Sequence, residues 1–260
     1  MKIIAIYVYE KTLSMASAYN MSSSTVGDAS STIIELHTDS EHIGYGEICP
    51  TGPLPQPEHA GSIRADLELL APALIGLDPV LIGQVLAAMN STMDGGTGAK
   101  SAIDIACWDL LGKATGSRVC DLLGGPLTDP VSTYHVIAIG TPDESVSMAE
   151  CLQDDGHTKL QLKAGGRRIE DDIDAARAVA AVIRPGVDLF VDANRGFSVE
   201  QAIQFSHACA GLRLNMEQPC HTYEECAAAK PSLVHPLLLD ESAKDLATVA
   251  KAISSGVANG

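Results

Sequence analysis

Basic residues are scarce in this sequence. Seventeen lysines and arginines stand against 33 acids in 260 residues, a formal charge of −16. A surface of that sign repels a phosphate backbone, which excludes nucleic acid as a partner and leaves a small molecule or a metal cation. Paired cysteines are also missing. The seven present (49, 107, 120, 151, 209, 220 and 226) are odd in number and never fall at Cys-x-x-Cys spacing. That excludes a disulfide framework or a zinc site, and implies reduced, mostly buried thiols in a cytoplasmic protein. No apolar stretch reaches the length of a membrane span, so no membrane partner is expected. The N-terminal run Ile3 to Tyr9, closed by Glu10 and Lys11, is too short for a signal-peptide core and reads as a first strand. The eight histidines never stand at His-x-x-x-His ligand spacing. "DGGTGAKS" lacks the Gly-Lys pair of a phosphate loop, since Ala99 precedes Lys100, and it follows a helix instead of a strand.

What is present falls into two parts, residues 1–128 and 129–260. In the first, strands at Ile3–Tyr9 and Ser31–His37 and a third beyond a turn at Asp39-Ser40 form an antiparallel meander. Helices are predicted at about 57–73, 78–92 and 98–115; the last carries Ala102, Ile103, Ala106, Leu110 and Leu111 as its apolar stripe and stops at Gly116. This part is α+β. From residue 129 the pattern becomes strand, loop, helix, repeated, with strands at 131–137, 158–163, 187–192, 212–217 and 236–240. Thr141-Pro142-Asp143-Glu144, Ser198-x-x-Gln201 and Thr222-x-x-Glu225 supply helix starts, and Gly156, Gly186 and Gly211 supply stops. Alternating strands and helices imply a parallel sheet.

Side-chain parity selects the architecture. In "KLQLK" the leucines share one face and Lys159, Gln161 and Lys163 the other; "VDLFVD", "LRLNME" and "LLLD" repeat the arrangement with acids at their ends. An open doubly wound sheet is apolar on both faces. One polar face suits a (β/α)8 barrel covered outside by helices, of which about five strand–helix units are present. Lys163, Asp192, Glu217 and Asp240 then lie at successive strand ends, separated by 29, 25 and 23 residues. Three carboxylates crowded in this way repel, and a divalent cation resolves the conflict; all-oxygen ligation favours Mg²⁺. A single acid at such a place is more often a cap or a solvated loop residue, and Lys163 alone has a structural reading as an ion pair with Asp192. Lys159 falls nearer the barrel floor. His135, on the first barrel strand, is the one histidine to watch, and Cys220 reads as packing.

"LQLKAGG", "VDAN", "MEQPC" and "LDES", in this order after "AIDIACWDLLGKATGSRVCDLLGG", resemble the mandelate racemase/muconate lactonising branch of the enolase superfamily. The resemblance implies an α+β capping domain and a modified barrel. It implies Mg²⁺ on Asp192, Glu217 and Asp240, proton transfer by Lys163, and substrate contacts from Tyr19, Gln161 and Asn194, with the loops at 15–25 and 50–58 closing over the substrate. A lysine acting in this way has its pKa lowered by desolvation or by positive neighbours. Gln161, where many members carry lysine, is similar to relatives acting on proline derivatives. The implied reaction is α-proton abstraction from a carboxylate through an enediolate, with dehydration of cis-3-hydroxy-L-proline first. Epimerisation of hydroxyproline betaine is second, and an inactive chain that binds a partner through its open barrel edge is third. A homo-oligomer is expected. The chain stops just before the expected sixth strand, which in this branch bears a second lysine, so epimerisation by these 260 residues is not expected.

Overall fold

The computed structural model describes residues 1–20, 25–50, 52 and 58–260, with the side chains of 15–26 outside that description. The substrate loops expected at 15–25 and 50–58, and the Tyr19 side chain, therefore lie largely outside the described residues. The chain divides into two compact units, Met1–Ala18 with Val26–Asp129, and one built on Pro130–Gly260.

In the first unit, strands β1 (Ile3–Asn20), β2 (Thr25–Thr38) and β3 (Ile43–Ile48) form a sheet in that order, with β2 and β3 antiparallel. β1 runs well past the expected Tyr9. Its continuation buries little, since residues 10–14 are all exposed. Backbone pairing and polar contacts hold it, Glu10 meeting Arg64 Nη2 at 3.1 Å and accepting from Ser30 Oγ at 3.4 Å, and such contacts leave no hydrophobic alternation to read. Helices α1 (Ala60–Leu74), α2 (Ile82–Thr92) and α3 (Thr97–Thr115) cover the sheet, and a short α4 (Val119–Leu122) follows. α1 begins at an imidazole cap: His59 Nδ1 accepts from the Ser62 amide, and Ser62 reciprocates. α3 ends where expected, on left-handed Gly116. It lies so close to β3 that a Cβ at Gly46 would stand 2.0 Å from the Ala102 carbonyl oxygen, and one at Gly44 2.5 Å from that of Ala106. Ile34, Leu36, Ile63, Leu67, Leu70, Ile103 and Leu110 fill the core between.

The second unit alternates as its sequence pattern requires. Strands β4 (His135–Ile137), β5 (Lys159–Lys163), β6 (Asp188–Asp192), β7 (Asn215–Glu217) and β8 (Leu237–Leu238) are parallel neighbours in chain order. Each leads into a helix: α5 (Pro142–Asp154), α6 (Ile169–Val182), α7 (Val199–Ala208), α8 (Tyr223–Ala229) and α9 (Leu246–Ser255). The capping boxes at Thr141, Ser198 and Thr222 all form. Leu160, Leu162, Leu189, Val191, Met216 and Leu237 pack with Ile173, Ala176, Phe205 and Cys226 of the helices in one core. Gln161, Lys163, Asp192 and Glu217 occupy the opposite face.

The strands are shorter than expected, for identifiable reasons. Leu212 still closes the end of α7 through a bond to the Cys209 carbonyl, so β7 begins only at Asn215. The expected β4 residues Val131 and Tyr134 are exposed, and the strand starts at His135. Beyond β8 the Asp240 amide bonds to a side chain, Gln218 Oε1 at 3.0 Å, in place of a neighbouring strand. The sixth-strand expectation also needs correcting. Asn259 N bonds Leu237 O at 2.7 Å and Leu239 N bonds Gly260 O at 3.1 Å, so the last residues already run along β8.

Candidate active site

Strand register brings the polar tips together. Lys163, Asp192 and Glu217 are Cα partners in one row across β5, β6 and β7, and Leu238 of β8 continues that row two residues before Asp240. All four therefore sit toward the C-terminal ends of their strands. Lys163 Nζ donates to Asp192 Oδ2 at 2.5 Å, with side-chain exposures of 6% and 1%. The ion-pair reading of Lys163 thus describes a contact that exists. Asp192 Oδ1 accepts the Asn194 amide at 2.8 Å, which tightens the turn after β6, where Asn194 and Arg195 are left-handed.

Gln161 sits two residues before Lys163 on the same face and is 3% exposed. Its Nε2 donates to Glu217 Oε2 at 2.7 Å, while its Oε1 is buried without a partner among the described residues. Burial, and then the charge of Asp192, push the Glu217 carboxyl above the ordinary range, against the lowering effect of that amide. Asp240 is the most exposed of the four, yet partial burial and the charge of Asp192 raise it as well, with Lys163 and Arg195 pulling the other way. Burial is the larger cause in both, and the like charge of Asp192 adds to it.

Gln218 and Glu241 escaped the sequence reading. Gln218 is fully buried and left-handed at φ 34°. Its Oε1 accepts the amides of Asp240 (3.0 Å) and Ser242 (3.1 Å), and its Nε2 donates to Ser242 Oγ (2.8 Å) and Cys220 O (3.1 Å). It ties the ends of β7 and β8 together. The only sequence trace is its place beside Glu217; its partners lie 24 residues away in the case of Ser242. Glu241, raised mainly by burial, approaches Arg195 Nε and Asn194 Nδ2 at 3.5 Å each.

Three residues weighed in the sequence fall outside this group. His135 pairs with Leu160 at the other end of the strands and stacks on His157 with ring centres 3.4 Å apart. β4 starts there and not at residue 131, which puts that histidine far from the acidic rim. Lys159 is likewise at the far end, opposite Asp188. Cys220 is buried, its thiol pushed up by its contact with Cys226 and by desolvation, as packing requires.

Three carboxylates with no nitrogen or sulfur donor suit a hard cation such as Mg²⁺. As they stand, Asp192 and Glu217 are engaged by Lys163 and Gln161, and among the described residues no three His, Cys, Asp or Glu side chains form a ready metal cluster. The donor chemistry fits, and a cation there competes with two protein donors.

Residues 3–124 match the N-terminal domain of mandelate racemase/muconate lactonizing enzymes, and residues 144–260 the enolase C-terminal domain-like family. The chain is 39% identical to cis-3-hydroxy-L-proline dehydratase of Roseibium aggregatum over 93% of its own length and 66% of that protein's. It thus spans about two thirds of the curated relatives it matches. Among solved structures, a member of the enolase superfamily from Roseovarius nubinhibens complexed with magnesium superposes with a TM-score of 0.92 and 32% identity, over 100% of this chain and 70% of that one. The dipeptide epimerase from Enterococcus faecalis, complexed with Mg and L-Leu-L-Tyr, gives 0.92 and 26% over 100% and 73%. With its polar row and both domains matched, the chain belongs to the mandelate racemase/muconate lactonizing enzyme family of the enolase superfamily.

Proposed function

We propose that this chain carries the proton-abstracting site of a Mg²⁺-dependent enzyme acting on a small-molecule carboxylate, and that the reaction is dehydration of cis-3-hydroxy-L-proline. The observation that carries the reading is the in-register row Lys163–Asp192–Glu217, continued by Asp240. Asp192, Glu217 and Asp240 would hold the ion. When bound, it supplies positive charge against the oxyanion that develops as an α-proton leaves a carboxylate.

The remaining work belongs to the protein's own groups. Lys163 Nζ, as the neutral amine, takes the α-proton; the C–H electrons form the double bond, and the 3-hydroxyl departs as water by taking that proton from Nζ, which regenerates the amine. Strand β5 fixes the lysine backbone, so approach to the α-carbon is a matter of one side chain. Gln218 holds the Asp240 backbone through its amide, which keeps the rim in place while ligands exchange. The substrate assignment draws support from the 39% identity to a dehydratase of that substrate. The exposed free thiols Cys49, Cys120 and Cys151 support a reducing, cytoplasmic location.

The test is exchange of the substrate α-proton in D₂O with MgCl₂, followed by NMR. Lys163→Ala is expected to abolish exchange. Exchange at an unchanged rate in that variant removes Lys163 from the reaction.

A further inference from the structure

We propose that Arg167 and Asp172 are positioning residues for Lys163. Together they tie the two-glycine exit from β5 to the neighbouring loop, and so hold the lysine where it meets the α-carbon. This deepens the proton-abstraction reading and rests on it.

Lys163 is the last residue of β5, and the chain beyond it is free to bend. The Ala164 amide still donates to Asp192 O on β6, at 2.8 Å. Gly165 and Gly166 then turn left-handed, at φ 87° and 74°. Two glycines in succession beside the reactive residue make a hinge unless something holds them. Asp172 does so. It lies in the first turn of α6 with its side chain fully buried, and its Oδ2 accepts the Gly165 amide at 2.9 Å. Its Oδ1 accepts from Arg167 Nε at 2.6 Å, and Arg167 Nη1 reaches on to the Gly140 carbonyl, also at 2.6 Å. Gly140 belongs to the loop between β4 and α5. The guanidinium therefore joins the loops that leave β4 and β5. The end of β5 is held by this tie towards β4 and by the Ala164 bond towards β6.

The helix itself does not call for this acid. Glu170 and Asp171, both exposed, already put negative charge at the start of α6. Asp172 is buried instead, which pushes its carboxyl up, and Arg167 and the Gly165 amide hold it down against that burial. Arginine suits the bridge because its rigid fork meets a carboxylate and a carbonyl at once; a lysine nitrogen is a single point on a flexible stem. Proton transfer rewards such rigidity. A displacement of about 1 Å between reacting groups costs on the order of 100-fold in rate. Freeing the hinge two residues after Lys163 allows a shift of that kind and leaves the carboxylate row on β6 and β7 in place.

The experiment compares the unaltered chain with Arg167→Met and Arg167→Lys, the arginine being partly exposed and so replaceable. Exchange of the α-proton of cis-3-hydroxy-L-proline in D₂O with saturating MgCl₂ is read by NMR and scaled to the folded fraction. In Arg167→Met kcat is expected to fall about 10- to 100-fold with KM within about threefold, because the substrate meets the same groups. Arg167→Lys keeps the charge without the fork and is expected to stay at least about fivefold below the unaltered chain. A loss confined to KM, or one that vanishes on scaling, overturns the positioning role. Hydrogen exchange of the Gly165 amide without substrate tests the tie apart from the reaction. It is expected to be slow in the unaltered chain and at least about tenfold faster in Arg167→Met. A freely exchanging Gly165 amide in the unaltered chain overturns the tie and leaves the chemistry of Lys163 standing. Absence of α-proton exchange in the unaltered chain overturns the positioning role together with the reaction, and a protected amide then marks a purely structural tie.

Discussion

Lys163 and Asp192 make the sharpest energetic prediction. Their contact is 2.5 Å long and both side chains are almost wholly buried, at 6% and 1% exposure. Replacing Lys163 by methionine keeps the volume and strands the Asp192 charge. Breaking a buried pair in this way costs about 3–5 kcal/mol. Asp192 Oδ1 retains the Asn194 amide, so one oxygen stays satisfied and the lower end applies, about 3 kcal/mol. At roughly 2–4 °C per kcal/mol for a chain of this size, the melting temperature falls by about 6–12 °C. The assay is urea and thermal unfolding by circular dichroism without magnesium, on Lys163→Met, Asp192→Asn and the double variant. The double variant is expected to lose clearly less than the sum of the singles, because the second change removes the stranded charge. A loss below about 1 kcal/mol in Lys163→Met, or strict additivity, would refute the claim that the two form a buried, coupled pair.

Three further outcomes follow from the same geometry. Gln218→Ala leaves the Asp240 and Ser242 amides and the Ser242 hydroxyl without their partner, and is expected to cost about 3 kcal/mol in urea unfolding. Gly46→Ala sets a methyl 2.0 Å from the Ala102 carbonyl and is expected to prevent a stable fold of the first unit, read by proteolysis; Gly83→Ala, with nothing within 4 Å, is tolerated. The raised Glu217 and Asp240 mean that the folded state binds protons more tightly than the unfolded chain. Their stabilising contribution is full below the ordinary carboxylate values near 4 and is lost as pH rises through the raised ones. Magnesium relieves the same repulsion, so MgCl₂ is expected to raise the melting temperature more at pH 8 than at pH 5; the opposite order contradicts the electrostatic account.

Local chemistry was legible in the sequence. Thr141, Ser198 and Thr222 cap helices because each needs only a partner three residues on, and Gly116 stops α3 because glycine takes the left-handed turn without a steric penalty. Parity was legible too, since one aliphatic face of β5 and β6 must meet the helices. What escaped depends on distant partners or on none. β1 extends on backbone bonds that leave exposed side chains, so no periodicity announces it. The His59 cap uses an imidazole where hydroxyls and carboxylates are usual. β8 ends early because Gln218, a full strand–helix unit away, takes over the Asp240 amide. The position of His135 turned on where β4 begins, which flanking exposed residues decide.

Magnesium titration by calorimetry tests the central claim most directly, that Asp192, Glu217 and Asp240 act as one cation site at the ends of adjacent strands. One equivalent is expected to bind, at least tenfold more weakly in each of Asp192→Asn, Glu217→Gln and Asp240→Asn. Asp188→Asn, at the opposite end of β6, is expected to leave it unchanged. Undiminished binding in the three rim variants, or an equal loss in Asp188→Asn, contradicts the account.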